Sequence, residues 1–389
     1  MSKGGLPPQV ELYSPEEYCV GIQGIWPQGP RLVETAMTND ILLTVDYHDE
    51  KSVIRRLDQR TGTEQLLTVP TDPQRFVEVI AQAQAQLRRR RGGQVVWIQE
   101  STTGWARVGA LLAEQPRVVF VLANVVQMPL PPKARRRKTD KIDTARIQRE
   151  YQNGELPKAH QPSAWWRQVR RLVAMRESVV RRQTALRNWI NRYLAHESWA
   201  SRANLWSGKG QHRLRGLLTT LPPSDRQIID WKLDELALLR QQRVAVEAAL
   251  YQRHQNWPEA QRIDAIKGIS VAAAVSITAR IGPVERFADA EALIAYAGLA
   301  PGVHQSDQTR HNGRIGGGGT DKQLRHYLIE ASIWARTLPR YQKTYERTAA
   351  RRGKKIGRLV VARLMLRSIY KMLRDGVAFE AAALATTGV

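Results

Sequence analysis

Short apolar runs separated by polar stretches follow the Pro- and Gly-rich start of the chain. The segments ILLTVD (41–46), SVIRRL (52–57) and EQLLTV (64–69) are joined by YHDEK and DQRTGT, which are polar and of hairpin length. These segments predict a meander of three strands. The runs QVVWIQ (94–99) and RVVFVL (117–122) are apolar almost throughout, which is typical of buried parallel strands.

Helical spacing of apolar residues fills the gaps between these strands. Residues 72–91 carry apolar side chains on one face and end in RRRR, which suits the negative end of the helix dipole. Residues 102–114 predict a second helix, and a third begins near Thr139, after a break at 129–138. Three strands, helix, strand, helix, strand, helix is the order of RNase H-like folds.

The rest of the chain lacks strand patterns. Residues 162–254 carry apolar residues at helical spacing among many charges and predict an antiparallel helical hairpin. Residues 260–375 predict further helices with Gly-rich turns. We therefore expect an α/β plus α protein with four parts: an extension (1–40), an RNase H-like, RuvC-like domain (41–160), a coiled-coil region (161–258) and a mainly helical C-terminal domain (259–389).

The charge balance indicates a polyanionic partner. Sixty Lys and Arg against 36 Asp and Glu give the 389-residue chain a formal net charge of +24. Self-repulsion of this size lowers the stability of a compact state unless a polyanion relieves it. Nucleic acid is therefore the first partner to expect.

Composition also restricts metals and location. The chain has one cysteine, Cys19, and eight histidines without paired ligand spacing, so a metal would be held by oxygen, as Mg²⁺ or Mn²⁺ is. No apolar run approaches the roughly 20 residues of a membrane span, and the start MSKGGLPPQVELYS has no signal-peptide core. We expect a cytoplasmic protein without a membrane partner.

Four acids occupy positions that this topology would bring together. Asp46 ends the first strand and Glu100 ends the fourth, and those strands are neighbours in an RNase H-like sheet. Asp140 and Asp143, in KTDKID, have the i, i+3 spacing of one helix face. Opposed carboxylates repel one another unless a cation lies between them, and two divalent metals can stabilise both oxygens of a phosphoryl transfer. The pattern predicts a metal-dependent carboxylate site.

Each acid also has a structural explanation. An acid at the end of a strand often begins a turn, and an Asp at the start of a helix is often a cap. Asp49, Glu50 and Asp58 are rivals of Asp46, but they lie between predicted strands, where we expect them to be exposed. The coincidence of four well-placed acids in so basic a chain favours the site.

The C-terminal part carries two further candidates. Residues 266–277, with Gly268 at a turn, resemble a helix-hairpin-helix element, whose turn amides can hold a phosphate; a plain pair of helices explains the pattern equally well. Ser306 lies in a predicted loop among His304, Arg310, His311 and Arg314. That setting favours a phosphate near the hydroxyl, although a loop serine is ordinarily a turn residue.

Four motifs together resemble a known family. TVDYHDEKSV, WIQESTTGWA, KTDKIDTARI and GLAPGVHQSDQTRHNGRIGGGG are similar to the DEDD transposases of one insertion-sequence family, the bridge-RNA-guided recombinases and related invertases. The resemblance covers about residues 41–375. It implies that Asp46, Glu100, Asp140 and Asp143 hold Mg²⁺ or Mn²⁺ and that Ser306 is the nucleophile. Asp307 follows this serine where the family usually has glycine.

The resemblance also implies partners. It implies a transposase that cuts and rejoins donor and target DNA, with a bridge RNA as guide and with a site built from two protomers of a homo-oligomer. A bacterial cytoplasmic protein acting at the nucleoid is expected. Nucleic-acid contacts are predicted at basic or turn positions in four segments: Arg135, Arg136, Arg137 and Lys138; Lys267 and Gly268; Arg310 and Arg314; and Arg351, Arg352, Lys354 and Lys355.

Three alternatives stay open. The chain could be a site-specific invertase of the same family. It could be a RuvC-like nuclease that uses only the acids and water, in which case Ser306→Ala keeps cleavage. A third possibility is a nucleic-acid-binding regulator whose carboxylates are structural; it would bind without metal and never cut.

Overall fold

A computed structural model describes most of the chain after residue 38. The described residues are 39–88, 90, 92–128, 140–197, 204–300, 302–306, 309–313 and 320–380, of which 140–142, 302–306 and 309–313 are described by their backbone alone. The chain divides into two compact units between Gln161 and Pro162. The weak strand pattern near the N-terminus and the basic run at 135–138 fall outside the described residues.

The first unit is built on a five-stranded sheet whose strand order is β3-β2-β1-β4-β5. β1 pairs in parallel with β4, and β4 in parallel with β5, whereas β2 is antiparallel to both β1 and β3. The predicted strands are confirmed to within one residue at each end. Their bounds are Ile41–Asp46 (β1), Lys51–Asp58 (β2), Glu64–Pro70 (β3), Val95–Glu100 (β4) and Val118–Ala123 (β5).

Helices cover both faces of this sheet. On one face, α1 (Pro73–Arg88) and α2 (Trp105–Ala113) pack on the side chains of Ile41, Leu43, Val95 and Trp97. On the other face, Ile147 of α3 (Asp140–Gln152) packs on Leu42, Val96 and Ile98. Burial on both faces explains why β1 and β4 are continuous apolar runs in the sequence.

Asp58 corrects one expectation. It is the last residue of β2 and is buried, where a turn position and exposure were expected. Arg90, just beyond α1, donates to it from both terminal nitrogens, with Arg90 Nη1 2.9 Å from Asp58 Oδ1. Hydrogen bonds from Arg90 lower the pKa of Asp58 to about 2. The sequence pattern did not predict the burial of this carboxylate, because its partner Arg90 lies 32 residues further along the chain. Asp49 and Glu50 are exposed, as expected.

The second unit is mainly helical, as predicted, and begins with a long hairpin. Its helices are α4 (Ala164–Glu197), α5 (Gly208–Thr219), α6 (Pro223–Gln255), α7 (Pro258–Asp264), α8 (Val271–Ile281), α9 (Ala290–Tyr296), α10 (Lys322–Ala335), α11 (Pro339–Arg352) and α12 (Lys354–Asp375). No helix in the described part of the chain is both long enough and apolar enough to cross a membrane.

α4 and α6 run antiparallel to each other. Val169 near the start of α4 shares a core cluster with Leu250 near the end of α6, whereas Ile190 shares one with Ile229. An ion pair follows the same order, with Arg176 Nε 2.8 Å from Glu247 Oε1. The predicted antiparallel hairpin is therefore confirmed.

The remaining helices enclose a second core around α12. Val361, Met365 and Ile369 of α12 are fully buried and share one cluster with residues of α7, α8, α9 and α10. Inserted into this helical part is a β-hairpin of β6 (Gly302–Ser306) and β7 (Thr309–Gly313). The segment around Ser306 was expected to be a loop; antiparallel pairing of its two arms makes it a hairpin instead.

The Asp58–Arg90 pair should make the first unit sensitive to acid. Because the pKa of Asp58 is depressed when folded, its stabilisation is complete above its ordinary pKa near 4 and is lost as the pH falls toward about 2. We expect Asp58→Asn to lower the free energy of unfolding by about 2 kcal/mol near pH 7 and by almost nothing near pH 2. Urea unfolding of both proteins at several pH values measures this difference. Asp49→Asn, at an exposed turn, is the control; a pH-independent loss would contradict the assignment.

Candidate active site

Asp46 and Glu100 lie side by side at one edge of the sheet. Val45 of β1 is in register with Gln99 of β4, so each acid is the next residue along adjacent parallel strands. Side chains alternate along a strand, and the preceding even positions, Leu42 in β1 with Ile98 in β4, face α3. Both acids therefore fall on the α3 face, and both are half-buried.

α3 lies antiparallel to β1, which brings its first turn toward the two acids. Near its end, burial and the charge of Asp40 raise the pKa of Tyr151; Asp40 directly precedes β1. One turn earlier, Thr44 Oγ1 lies 3.3 Å from Gln148 Oε1. Asp143, half-buried in the first turn, thus lies toward the end of the sheet that carries Asp46 and Glu100. The backbone of Asp140 begins the helix, and its side chain is outside the described part.

A polar network fixes the position of α3 along the strands. Arg55 of β2 donates from Nε to Thr144 Oγ1 at 3.4 Å and from Nη1 to Glu64 Oε1 at 2.6 Å. Gln148 Nε2 donates to the same Glu64 oxygen at 3.2 Å. The Arg55 hydrogen bond, more than any other contact, lowers the pKa of Glu64, which keeps that carboxylate charged and the network intact.

A histidine lies beside Asp46, and a tyrosine–arginine pair lies at the same end of the sheet on its α1 and α2 face. His48 Nε2 is 3.5 Å from Asp46 Oδ2, and the imidazole is 55% exposed. Tyr47 accepts a hydrogen bond from Arg107 Nη2 at 3.0 Å, and Arg107 is exposed. Gly104 has φ +82°, and a Cβ there would lie 2.4 Å from the Tyr47 ring, so only glycine admits this tyrosine. Apart from the position of Tyr47 next to Asp46, nothing in the sequence pointed to this pair.

Oxygen donors of this kind suit a hard divalent cation. Asp46, Glu100 and Asp143 supply carboxylates at one edge, the ligand type that Mg²⁺ and Mn²⁺ prefer. Among the described residues, no three His, Cys, Asp or Glu side chains converge closely enough to form a metal-binding group. The fourth predicted ligand, Asp140, is the residue whose side chain falls outside that set. The metal therefore stays a prediction.

Ser306 is the last residue of β6 and pairs with Thr309 across the hairpin. Its position is therefore beside the two-residue connection at the tip. The ends of the hairpin segment are held together at its base, where the Asp321 amide donates to the Tyr296 carbonyl at 2.8 Å. Gly298 at the same base has φ +66° and no room for a Cβ beside Thr320. The segments that flank the hairpin in the chain are thus fixed to each other.

A partly buried ion cluster joins that base to α4. Arg280 of α8 contacts two acids from distant segments: its Nη2 is 2.6 Å from Glu177 Oε2, and its Nη1 is 2.9 Å from Asp321 Oδ2. Asp321 also caps α10 by accepting from the amides of Gln323 and Leu324. Burial alone would lower the pKa of Arg280, but the bonds to Glu177 and Asp321 raise it overall. No spacing in the sequence signals this cluster, because its members come from three separate segments.

The structure describes some of the residues predicted to contact nucleic acid, but not all of them. Lys267 is exposed in the turn between α7 and α8, and Gly268 beside it has φ +95°. Four cations at the junction of α11 and α12 are also exposed: Arg351, Arg352, Lys354 and Lys355. The backbone of Arg310 lies in β7. Five residues fall outside the described part: Arg135, Arg136, Arg137, Lys138 and Arg314.

Comparison with known proteins matches both units. Residues 43–197 match a family model for IS110 DEDD transposases, described as "Transposase". Residues 260–347 match a model described as "Transposase IS116/IS110/IS902 family". An "Insertion element IS110 uncharacterized 43.6 kDa protein" from Streptomyces coelicolor is 27% identical over 146 residues. The chain belongs to the IS110 family of transposases.

The matched regions contain the candidate residues of this IS110-family chain. The first runs from β1 to the end of α4 and holds the four acids, and the second holds Gly268 and Ser306. The aligned part covers 37% of the chain and 36% of the Streptomyces relative. Family membership is thereby assigned, whereas the roles of individual residues are proposals.

The Arg280 cluster should contribute strongly to the stability of its unit. Arg280→Met leaves two partly buried carboxylates, Glu177 and Asp321, without their partner, and because breaking a fully buried pair costs about 3–5 kcal/mol, we expect a loss of about 2–4 kcal/mol here. Arg176→Met, one residue from Glu177, breaks a single pair with Glu247 and should cost about 1 kcal/mol or less. Hydrogen exchange of the full-length protein, read over α8 and α10, measures both. Equal losses in the two variants would contradict the assignment.

Proposed function

We propose that this chain is a DNA transposase that cuts and rejoins strands with a carboxylate-metal site and a serine nucleophile, guided by a structured RNA. The observation that carries the proposal is that Asp46, Glu100 and the first turn of α3 lie at the same edge of the sheet. Family membership supports DNA as the substrate.

The first unit supports an RNase H-like, RuvC-like fold. The sheet has three antiparallel strands followed by two parallel ones, in the order β3-β2-β1-β4-β5, and α3 covers one of its faces. This is the arrangement expected for that class. In such a sheet, acids at the ends of the central parallel strands and on the last helix share one site. We therefore assign Asp46, Glu100, Asp140 and Asp143 as metal ligands.

Bound at these carboxylates, Mg²⁺ or Mn²⁺ would supply positive charge against a phosphodiester and make a nearby hydroxyl more acidic. The residues of the chain then have separate tasks. Asp46, Glu100, Asp140 and Asp143 would hold the cation, and the Arg55 and Gln148 network keeps α3 from sliding along the sheet. Arg107, held by Tyr47 on the α1 and α2 face, offers its guanidinium to DNA phosphate at this end of the sheet.

Ser306 would act by covalent catalysis. Its Oγ attacks the phosphorus, the P–O bond to one DNA strand breaks, and the departing oxygen takes up a proton while the serine loses its own. The phosphoserine bond retains the energy needed to rejoin a second strand. The hairpin supports this role because it places Ser306 next to the tip, on a base held by the Arg280 cluster.

Charge supports the nucleic-acid partners. The net charge of +24 matches a protein that binds both DNA and a guide RNA, and base pairing to a guide would store target sequence outside the protein. The exposed cations at the α11–α12 junction offer a phosphate-binding surface. A site-specific invertase would share all of these features.

Self-association is supported by an exposed apolar pair on the outside of the hairpin. Trp231 and Leu238 of α6 are each more than half exposed and lie seven residues apart, which puts them on one face of the helix. Their exposure is unusual on a helix that is already packed on α4. We propose that this pair contacts a second copy of the chain in a homo-oligomer.

Strand transfer tests the catalytic proposal. In a two-plasmid assay with the element's own ends, wild type should form recombinant product and a covalent protein–DNA adduct on a denaturing gel. Asp143→Ala should lose both by about 100-fold or more, because a ligand of the reacting centre is removed. Ser306→Ala should lose the adduct entirely.

Matched variants separate chemistry from folding. Asp49→Ala, in an exposed turn near Asp46, and Thr309→Ala, across the hairpin from Ser306, should retain product. If Ser306→Ala still cuts DNA while Asp143→Ala does not, the chain is a carboxylate nuclease. If wild type binds but never cuts, with or without metal, it is a regulator.

The proposed contact predicts a measurable change in mass. Trp231→Glu with Leu238→Glu places charges in that contact and should convert the oligomer to monomer, as measured by light scattering at micromolar concentration. Val126→Glu, an exposed apolar position in the first unit, is the control. An unchanged mass for the double variant would place the interface elsewhere.

A further inference from the structure

One aromatic side chain of the C-terminal core is left on the surface. Trp334, in the last turn of α10, is 62% exposed although the helix buries Leu324, Leu328, Ala331 and Ala335 on its other side. The indole has no part in that core. Its surroundings point to a ligand that presents a flat ring and a negative charge.

The tryptophan is seated on a rigid turn. Gly268, with φ +95°, packs so closely on α10 that a Cβ would lie 2.7 Å from the Ala331 carbonyl oxygen and 2.8 Å from Trp334 Cβ. Glycine is thus required by this packing as well as by its backbone conformation. Close contact with the turn restricts the side chain, so little freedom would be lost when a ring stacks on it.

A cation is held beside the indole. Lys267 donates from Nζ to Thr337 Oγ1 at 3.0 Å, at the C-terminal end of α10, where the helix dipole favours positive charge. Its ammonium carries three donors, and the side chain is exposed. On the opposite side, Glu330 lies one turn earlier on α10. Phosphate would therefore approach Trp334 from the side of Lys267.

We infer that Trp334 and Lys267 form a binding site for an unpaired nucleotide, with the base stacked on the indole and its phosphate on the ammonium. Aromatic stacking accepts any base, and the adjacent cation follows the backbone, which is how single strands are bound without reading sequence. A fully paired duplex hides its base faces and would gain only the lysine contact. The site rests on the proposed nucleic-acid function and specifies the form of the substrate: opened DNA strands or a loop of the guide RNA.

Binding to defined oligonucleotides tests the site in the full-length protein. The probes are a labelled single-stranded DNA, the same sequence as RNA, and the matched DNA duplex. We expect Trp334→Ala to weaken binding of a single strand roughly 5- to 150-fold, the range for one lost stack, with duplex binding unchanged. The two single-stranded probes separate a DNA source of the base from an RNA source, and weakening on either supports the site.

Three further variants sharpen the test. Trp334→Phe keeps a ring and should recover most of the affinity, whereas Trp334→Leu keeps an apolar side chain and should not. Lys267→Met should weaken all probes and reduce the salt dependence of binding. Because Trp334 is exposed, thermal unfolding should match wild type.

Several outcomes would overturn the site. In Trp334→Ala, they are an unchanged affinity for the single strand, or an equal weakening on duplex and single strand. In Trp334→Leu, the contradicting outcome is full affinity for the single strand. Failure of the proposed chemistry is separate: it would appear as wild-type protein that forms no adduct while the Trp334 effect persists.

Discussion

The parallel pairing of β1 with β4 is the constraint on which the first unit depends. It is not a local pairing, because β2, β3 and α1 intervene in the chain, and it is stabilised by apolar side chains buried on both faces. Its register makes Asp46 and Glu100 neighbours at the same edge. α3 then adds Asp143 because its antiparallel course is fixed by Gln148 against Thr44 and by Thr144 against Arg55. Carboxylates gathered at one edge repel one another, and the proposed cation would relieve that repulsion.

In the second unit, the segments around the hairpin are positioned by helix packing and ion pairs instead of by a sheet. Its core is a set of helices around α12, and its hairpin strands are short, so tertiary contacts must hold the base of the hairpin. Arg280 does this by satisfying Glu177 from the long hairpin and Asp321 at the start of α10. Breaking a partly buried cation away from two acids is costly, which favours one arrangement of the segments, Tyr296 and Asp321, that flank the hairpin in the chain.

The sequence predicted the sheet well because apolar runs and the polar breaks between them are local signals, and together they located every strand. The order of elements was then enough to place Asp46 beside Glu100. It failed where the deciding partner is distant: Asp58 was expected in solvent because Arg90 is 32 residues away, and Arg280 had no visible partners. The hairpin of Ser306 was expected as a loop, since GVHQS and TRHNG are polar and lack the alternation that marks a strand. Trp334 could not be singled out because exposure depends on packing, not on spacing.

Metal-directed cleavage of the backbone tests whether Asp46, Glu100 and Asp143 share one metal. Fe²⁺ substituted for Mg²⁺ generates hydroxyl radicals at its site in the presence of ascorbate and peroxide, and these cut the chain within reach. If the three carboxylates share a metal, cuts should appear near residues 46, 100 and 143, three segments far apart in sequence, and excess Mg²⁺ and the Asp143→Asn variant should each suppress all three together. Cuts confined to one segment, or a pattern unchanged in Asp143→Asn, would mean that these carboxylates do not share a metal.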